Sequence, residues 1–140
     1  MQSPINTKVL DALDKVMVIS TTDLQGNITY VNDLFCKLTG YEREELVGQP
    51  HSIVRHPAVP KSTYKAMWDT IKKGEIWTGV IPNVAKTGGL YVVDTTVQPV
   101  FDEQGNIIEY ISIRRVINDL MGDFEALEFS KEQFDEYYDR

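Results

Sequence analysis

Ile5, Val9, Leu10 and Leu13 recur at helical spacing, which predicts a short amphipathic helix over residues 5–13. The rhythm then changes. Residues 16–21, "VMVIST", form a β-branched run of the kind a buried strand uses, and "ITYV" alternates as a second strand. Between them lies Asp23-Leu24-Gln25-Gly26-Asn27, whose Gly-Asn pair supplies the positive φ that a tight hairpin needs. Nearly the same turn recurs as Asp102-Glu103-Gln104-Gly105-Asn106. The sequences flanking the two turns do not repeat, so shared turn chemistry rather than an internal duplication accounts for the likeness.

Residues 32–77 have a helical texture. Asn32 or Asp33 can cap a short helix carrying Leu34, Phe35 and Leu38, closed by Gly40. Residues 42–46 give another helical turn ended by Gly48. Pro60 suits the first position of a longer helix, with Tyr64, Met67, Trp68 and Ile71 as its apolar stripe. Lys72 and Lys73 complement the helix dipole before Gly74 ends it. Three strands are expected after that, over residues 76–84, 90–100 and 107–115, the first two joined by "AKTGG". Strands and helices segregated in this way indicate an α+β fold: an antiparallel sheet with short helices on one face and flanking helices at both ends. The space between sheet and helices is the expected ligand site.

The net charge of −7 argues against a nucleic-acid partner. Eight acids and two bases fall in residues 117–140, which leaves a nearly neutral body and an acidic tail. Ile117, Leu120, Met121 and Phe124, then Phe134, Tyr137 and Tyr138, give that tail a helical stripe. The expected division is therefore a flanking helix at 1–15, a domain at 16–116 and an acidic helical segment at 117–140. No run approaches the ~20 apolar residues of a membrane span, and no signal-peptide pattern opens the chain. One cysteine, Cys36, provides neither a disulfide nor a CxxC pair. These features predict a cytoplasmic protein.

His51 and His56 are the two histidines, five residues apart with Arg55 between them. They do not share a helix face, Pro57 interrupts their segment and no second pair completes a zinc set, so a metal site is not expected. No serine sits in a nucleophile elbow, and no catalytic residues are expected.

"TDLQGNITYVNDLFCKLTGYEREELVGQP" resembles the opening half of a PAS domain, and the order of elements matches the five-stranded PAS layout over residues 16–116. Further on, "GQPHSIVRHPAVPKSTYKAMWDTIKKGEIWTGVIPN" is similar to the flavin-binding PAS domain of bacterial aerotaxis receptors. That resemblance implies FAD as cofactor, with Arg55, His56, Trp77 and Asn83 in its site. The chemistry of those side chains agrees. Arg binds phosphate bidentately, and a histidine can donate to phosphate or ribose. Tryptophan stacks on a ring system, and Asn offers a donor and an acceptor to the flavin's polar edge. The resemblance further implies a sensor of redox or energy state in aerotaxis- or chemotaxis-type signalling. Its expected partners are a second copy, joined through flanking helices, and a downstream signalling domain or chemotaxis component. A cofactor-free docking or dimerisation module, and a haem or small-molecule sensor using His51 or His56, remain alternatives. The light-sensing LOV variety is not expected, because its cysteine would fall near "QPHSIVRHP", where there is none. The chain departs from the aerotaxis pattern at Ala58, where that family carries an acid, and at Pro82, Val84, Ala85 and Val92.

Overall fold

Each of the two repeated turns is built around one carboxylate. Asp23 Oδ1 accepts from the backbone N–H groups of Gln25 and Asn27, both at 2.9 Å, and Asp102 Oδ1 does the same for Gln104 and Asn106. Gly26 and Gly105 take the left-handed position, with φ of 88° and 84°. The first turn joins β1 (Val18–Thr22) to β2 (Ile28–Val31), and the second joins β4 (Leu90–Phe101) to β5 (Ile107–Val116). With β3 (Trp77–Val84), these form one antiparallel sheet in the order β2-β1-β5-β4-β3. The computed structural model describes residues 7–57 and 59–117. The expected acidic helix beyond Ile117, the first six residues and Ala58 lie outside the described residues.

The helices lie between β2 and β3 in the chain: α2 (Asp33–Thr39), α3 (Arg43–Leu46), a 3-10 turn (His51–Val54) and α4 (Lys61–Lys72). Asn32 starts α2 by accepting the Phe35 N–H at 3.1 Å. The same oxygen accepts from Ile19 N, and the amide nitrogen donates to the Met17 carbonyl at 2.8 Å. One buried side chain thus fixes the start of α2 against both ends of the β1 entry. Glu42 and Glu45 close a capping box on α3. Phe35, Leu46, Val54, Val18, Ile28 and Val31 pack as one core cluster beneath these short helices.

Several boundaries differ from expectation by a residue or two. The N-terminal helix α1 is described over Thr7–Asp14, and none of its residues is buried. β1 starts two residues late because Val16 and Met17 are spent closing α1, their N–H groups donating to the Leu13 carbonyl. Pro60 is the N-cap of α4 rather than its first residue: its φ of −61° suits a helix, but its ψ of 146° is extended, and its carbonyl accepts the first turn's bond from Thr63.

Candidate functional site

Strand alternation sets what faces the helices. The register pairs Ser20 with Ser112, Ser112 with Val97, and Val97 with Trp77 across four strands. The next row pairs Val18 with Arg114, Arg114 with Thr95, and Thr95 with Gly79. These rows form the inner face. Opposite them stand α4, whose stripe presents Tyr64, Met67, Trp68 and Ile71, and the 3-10 turn with Arg55 beyond it. A cavity of about 170 Å³ lies between the two walls. It is lined by residues of all these elements, among them Arg55, Tyr64, Asn83, Thr95, Ser112 and Arg114. The volume is comparable with the roughly 150 Å³ of a cavity that holds benzene.

Those six residues share a second property. Arg55 Nε, Tyr64 Oη, Asn83 Nδ2, Thr95 Oγ1, Ser112 Oγ and Arg114 Nε are all buried without a hydrogen-bond partner. Buried polar atoms are nearly always paired, and each orphan costs about 1–3 kcal/mol. Six around one cavity leave donors and acceptors to be met by water or by a polar occupant.

Arg114 and His51 form the cavity's polar floor, with Ser20 behind them as a hydrogen-bonding neighbour of both. Arg114 donates to the His51 ring at 3.1 Å and lies 3.4 Å from Ser20 Oγ, while Ser20 Oγ and His51 Nε2 are 2.9 Å apart. Burial holds the His51 pKa well below the ordinary histidine value, and the positive charges of Arg114 and Arg55 lower it further. His51 is therefore neutral at physiological pH. Burial also pulls Arg114 down to about 10, which leaves it charged. Tyr91, paired across the β3–β4 ladder with Asn83, is pushed up to about 12 by burial. His51 is carried to this place by the backbone: its N–H donates to Gly26, and Pro50 bridges Asn27, so the 3-10 turn is stitched to the first hairpin.

Of the four residues expected to hold a cofactor, Arg55 and Asn83 line the cavity and are tied by an isolated backbone bridge. The Arg55 guanidinium lies 3.6 Å from the centre of the Tyr64 ring, a cation–π contact. His56 and Trp77 are not among the lining residues. His56 is half-buried, and burial lowers its pKa. The Trp77 indole folds over Gly79 on the inner face, where a Cβ would come within 2.5 Å of it, and packs with the core cluster that includes Ile81 and Tyr91. Nothing in the sequence singled out Arg114. Trp68, from the apolar stripe of α4, packs against the core of Ile71, Val97 and Tyr110 and also lines the cavity, edge-on to Tyr110 at 5.5 Å. Cys36 lies on α2 and not in the cavity wall.

The model of the PAS fold matches residues 28–114. The chain belongs to the PAS fold family. Its PAS region is 48% identical over 101 residues to the aerotaxis receptor of Escherichia coli K12, a match covering 72% of this chain and 20% of that protein. It is 37% identical over 102 residues to a nitrogen fixation regulatory protein of Klebsiella pneumoniae, covering 73% of this chain and 21% of the other. The chain thus matches about a fifth of the length of these relatives. Among solved structures, the PAS domain of a Colwellia psychrerythraea protein superposes with a TM-score of 0.72 at 26% identity, covering 80% of this chain and 96% of that one. No helix among the described residues is long and apolar enough to cross a membrane.

Proposed function

We propose that this PAS domain binds a flavin, FAD by resemblance to the aerotaxis receptors, and acts as a cytoplasmic sensor of redox or energy state rather than as an enzyme. The observation that carries this reading is the convergence of six unpaired buried polar atoms on one cavity. Asn83, Thr95 and Ser112 offer neutral donors and acceptors of the kind that a flavin's pyrimidine edge requires. Arg55 supplies positive charge for a phosphate, with Tyr64 fixing its guanidinium plane. Trp68 and Tyr110 supply aromatic wall. A bound flavin would contribute two-electron redox chemistry. The chain's own residues bind, orient and shield it. Volume imposes a condition, because the cavity has room for one ring of such a ligand, so loading requires lining side chains to shift.

Signal output then depends on residues that feel the occupant. A ligand shifts a domain only through different interaction energies in its two conformations. Arg114 and Ser112 on β5 are the groups placed to transmit such a difference, because that strand leads directly to residue 117 and the acidic segment. The proposed partners are a second copy of the chain, joined through its flanking helices, and a downstream signalling or chemotaxis component. Val9, Leu10 and Leu13 of α1 are 44%, 51% and 40% exposed, an apolar face in keeping with such association.

The test is the absorption spectrum of the purified full chain. A flavoprotein shows two broad bands in the near-ultraviolet and blue. A colourless protein that takes up no added FAD or FMN overturns the reading, and an intense Soret band replaces it with haem.

A further inference from the structure

We propose that Arg114 is an anion-recognition group that sets the redox preference of the cavity's occupant, holding a flavin more tightly in its reduced, anionic form than in its neutral oxidised form. This rests on the flavin reading above and goes beyond it. The arginines differ in how they are paired. Arg43 meets Asp33 at 2.6 Å and Arg115 meets Asp94 at 3.7 Å, both on the surface. Arg114 is only 6% exposed and, among the described residues, pairs with no carboxylate.

What faces Arg114 comes from five elements. Ser20 is on β1, His51 on the 3-10 turn, Phe35 on α2 with its ring centre 5.9 Å away, Tyr64 on α4 and Tyr91 on β4. Arg55 adds a second positive charge near His51. None of these groups is an anion at neutral pH: His51 is held unprotonated, and both tyrosines are pushed above their ordinary value. A buried guanidinium in such surroundings bears a desolvation cost that only an anion repays well. Its Nε has no acceptor, and the side chain lines the cavity. The missing counter-charge therefore belongs to the occupant, through a charge-assisted contact.

For a flavin this has a definite consequence. Two electrons and one proton from an external reductant convert the neutral oxidised ring into a monoanion; two electrons and two protons give a neutral reduced ring. With the ring rather than the phosphates against it, Arg114 would stabilise the first product selectively, because the phosphates are charged in both redox states and the ring only in that one. His51 assists by staying neutral, accepting from Arg114 rather than competing with it.

The experiment is a dye-coupled titration, with dithionite as reductant, of the flavin-loaded full chain and of Arg114→Met and Arg114→Lys. Methionine keeps much of the volume and removes the charge; lysine keeps the charge. The expected result is at least a tenfold loss of preference for the reduced form in Arg114→Met, a potential lower by about 30 mV or more, with Arg114→Lys closer to the parent. An unchanged potential in flavin-loaded Arg114→Met overturns the proposal. A second measurement needs no variant. Between about pH 5 and pH 7, the parent's potential should fall by about 30 mV per pH unit, one proton per two electrons, and twice that slope overturns the proposal even where Arg114→Met fails to fold. A parent chain that takes up no flavin overturns the proposed function and this inference together. A yellow protein with the two-proton slope overturns this inference alone.

Discussion

Arg55 and His51 illustrate what a residue's neighbours decide. Arg55 stands out in the sequence through the resemblance to flavin-binding PAS domains and the fit of arginine to phosphate, and it lines the cavity. Removing it by Arg55→Ala takes away a charge-assisted contact of roughly 1.5–3 kcal/mol, about ten- to a hundredfold in flavin affinity. Flavin-to-protein ratio after gel filtration checks this, and parental occupancy in the variant contradicts the role. His51 is legible only with the fold in hand, since nothing local says that β5 will place a guanidinium against it. Its depressed pKa makes stability pH-dependent. Below the ordinary histidine value of about 6.5 the unfolded chain takes a proton that folded His51 refuses, so stability falls with pH by at most ~1.4 kcal/mol per unit until the folded pKa is reached. His56, also lowered, acts in the same direction to a lesser degree. Urea melts at about pH 7 and pH 5 should show this loss in the parent and a smaller one in His51→Gln. Equal losses in both would assign the acid sensitivity elsewhere.

At the scale of elements, the order of strands and helices was readable because turn chemistry and periodicity agree, as in the two Asp-x-x-Gly-Asn turns. The inward face of β5 was not. Ile111 and Ile113 alternate with Tyr110, Ser112 and Arg114, and hydrophobicity alone assigns the isoleucines to the core. The structure reverses this: Tyr110, Ser112 and Arg114 are buried, while both isoleucines are only partly so. A cavity built for a polar ligand inverts the pattern that core packing would impose. The stripe on α4 is core as its spacing predicts, with Tyr64 and Ile71 buried, and the same residues also form the cavity's other wall. Gly79 on β3 shows the same close fitting. A Cβ there would lie 2.5 Å from Trp77 Cη2 and 2.7 Å from Cζ2, and a rigid indole packed on core cannot yield without cost. Gly79→Ala should therefore destabilise by about 1–3 kcal/mol and shift the tryptophan emission. A urea midpoint and an emission maximum equal to the parent's would mean the ring is free to move.

For the whole molecule, the fold class followed from segregated strands and helices, whereas assembly depends on surfaces that periodicity marks without saying what covers them. The helix α1 is described over eight residues with no buried side chain, yet it displays Leu10 and Leu13. An isolated helix that short is marginal in water, so its persistence calls for a partner. A second copy supplies one at no cost in specificity, because a twofold axis sets like patches against each other. Placing like charges at such a contact disfavours it directly. Leu10→Glu with Leu13→Glu should convert a dimer into a monomer while leaving the sheet and the cavity unchanged, since both side chains are exposed and neither belongs to a core cluster or the cavity lining. Light scattering gives the mass, and flavin content shows that the domain is intact. A parent chain that runs as a monomer at tens of micromolar, or a double variant that stays dimeric, removes α1 from the interface and leaves its apolar face to another segment.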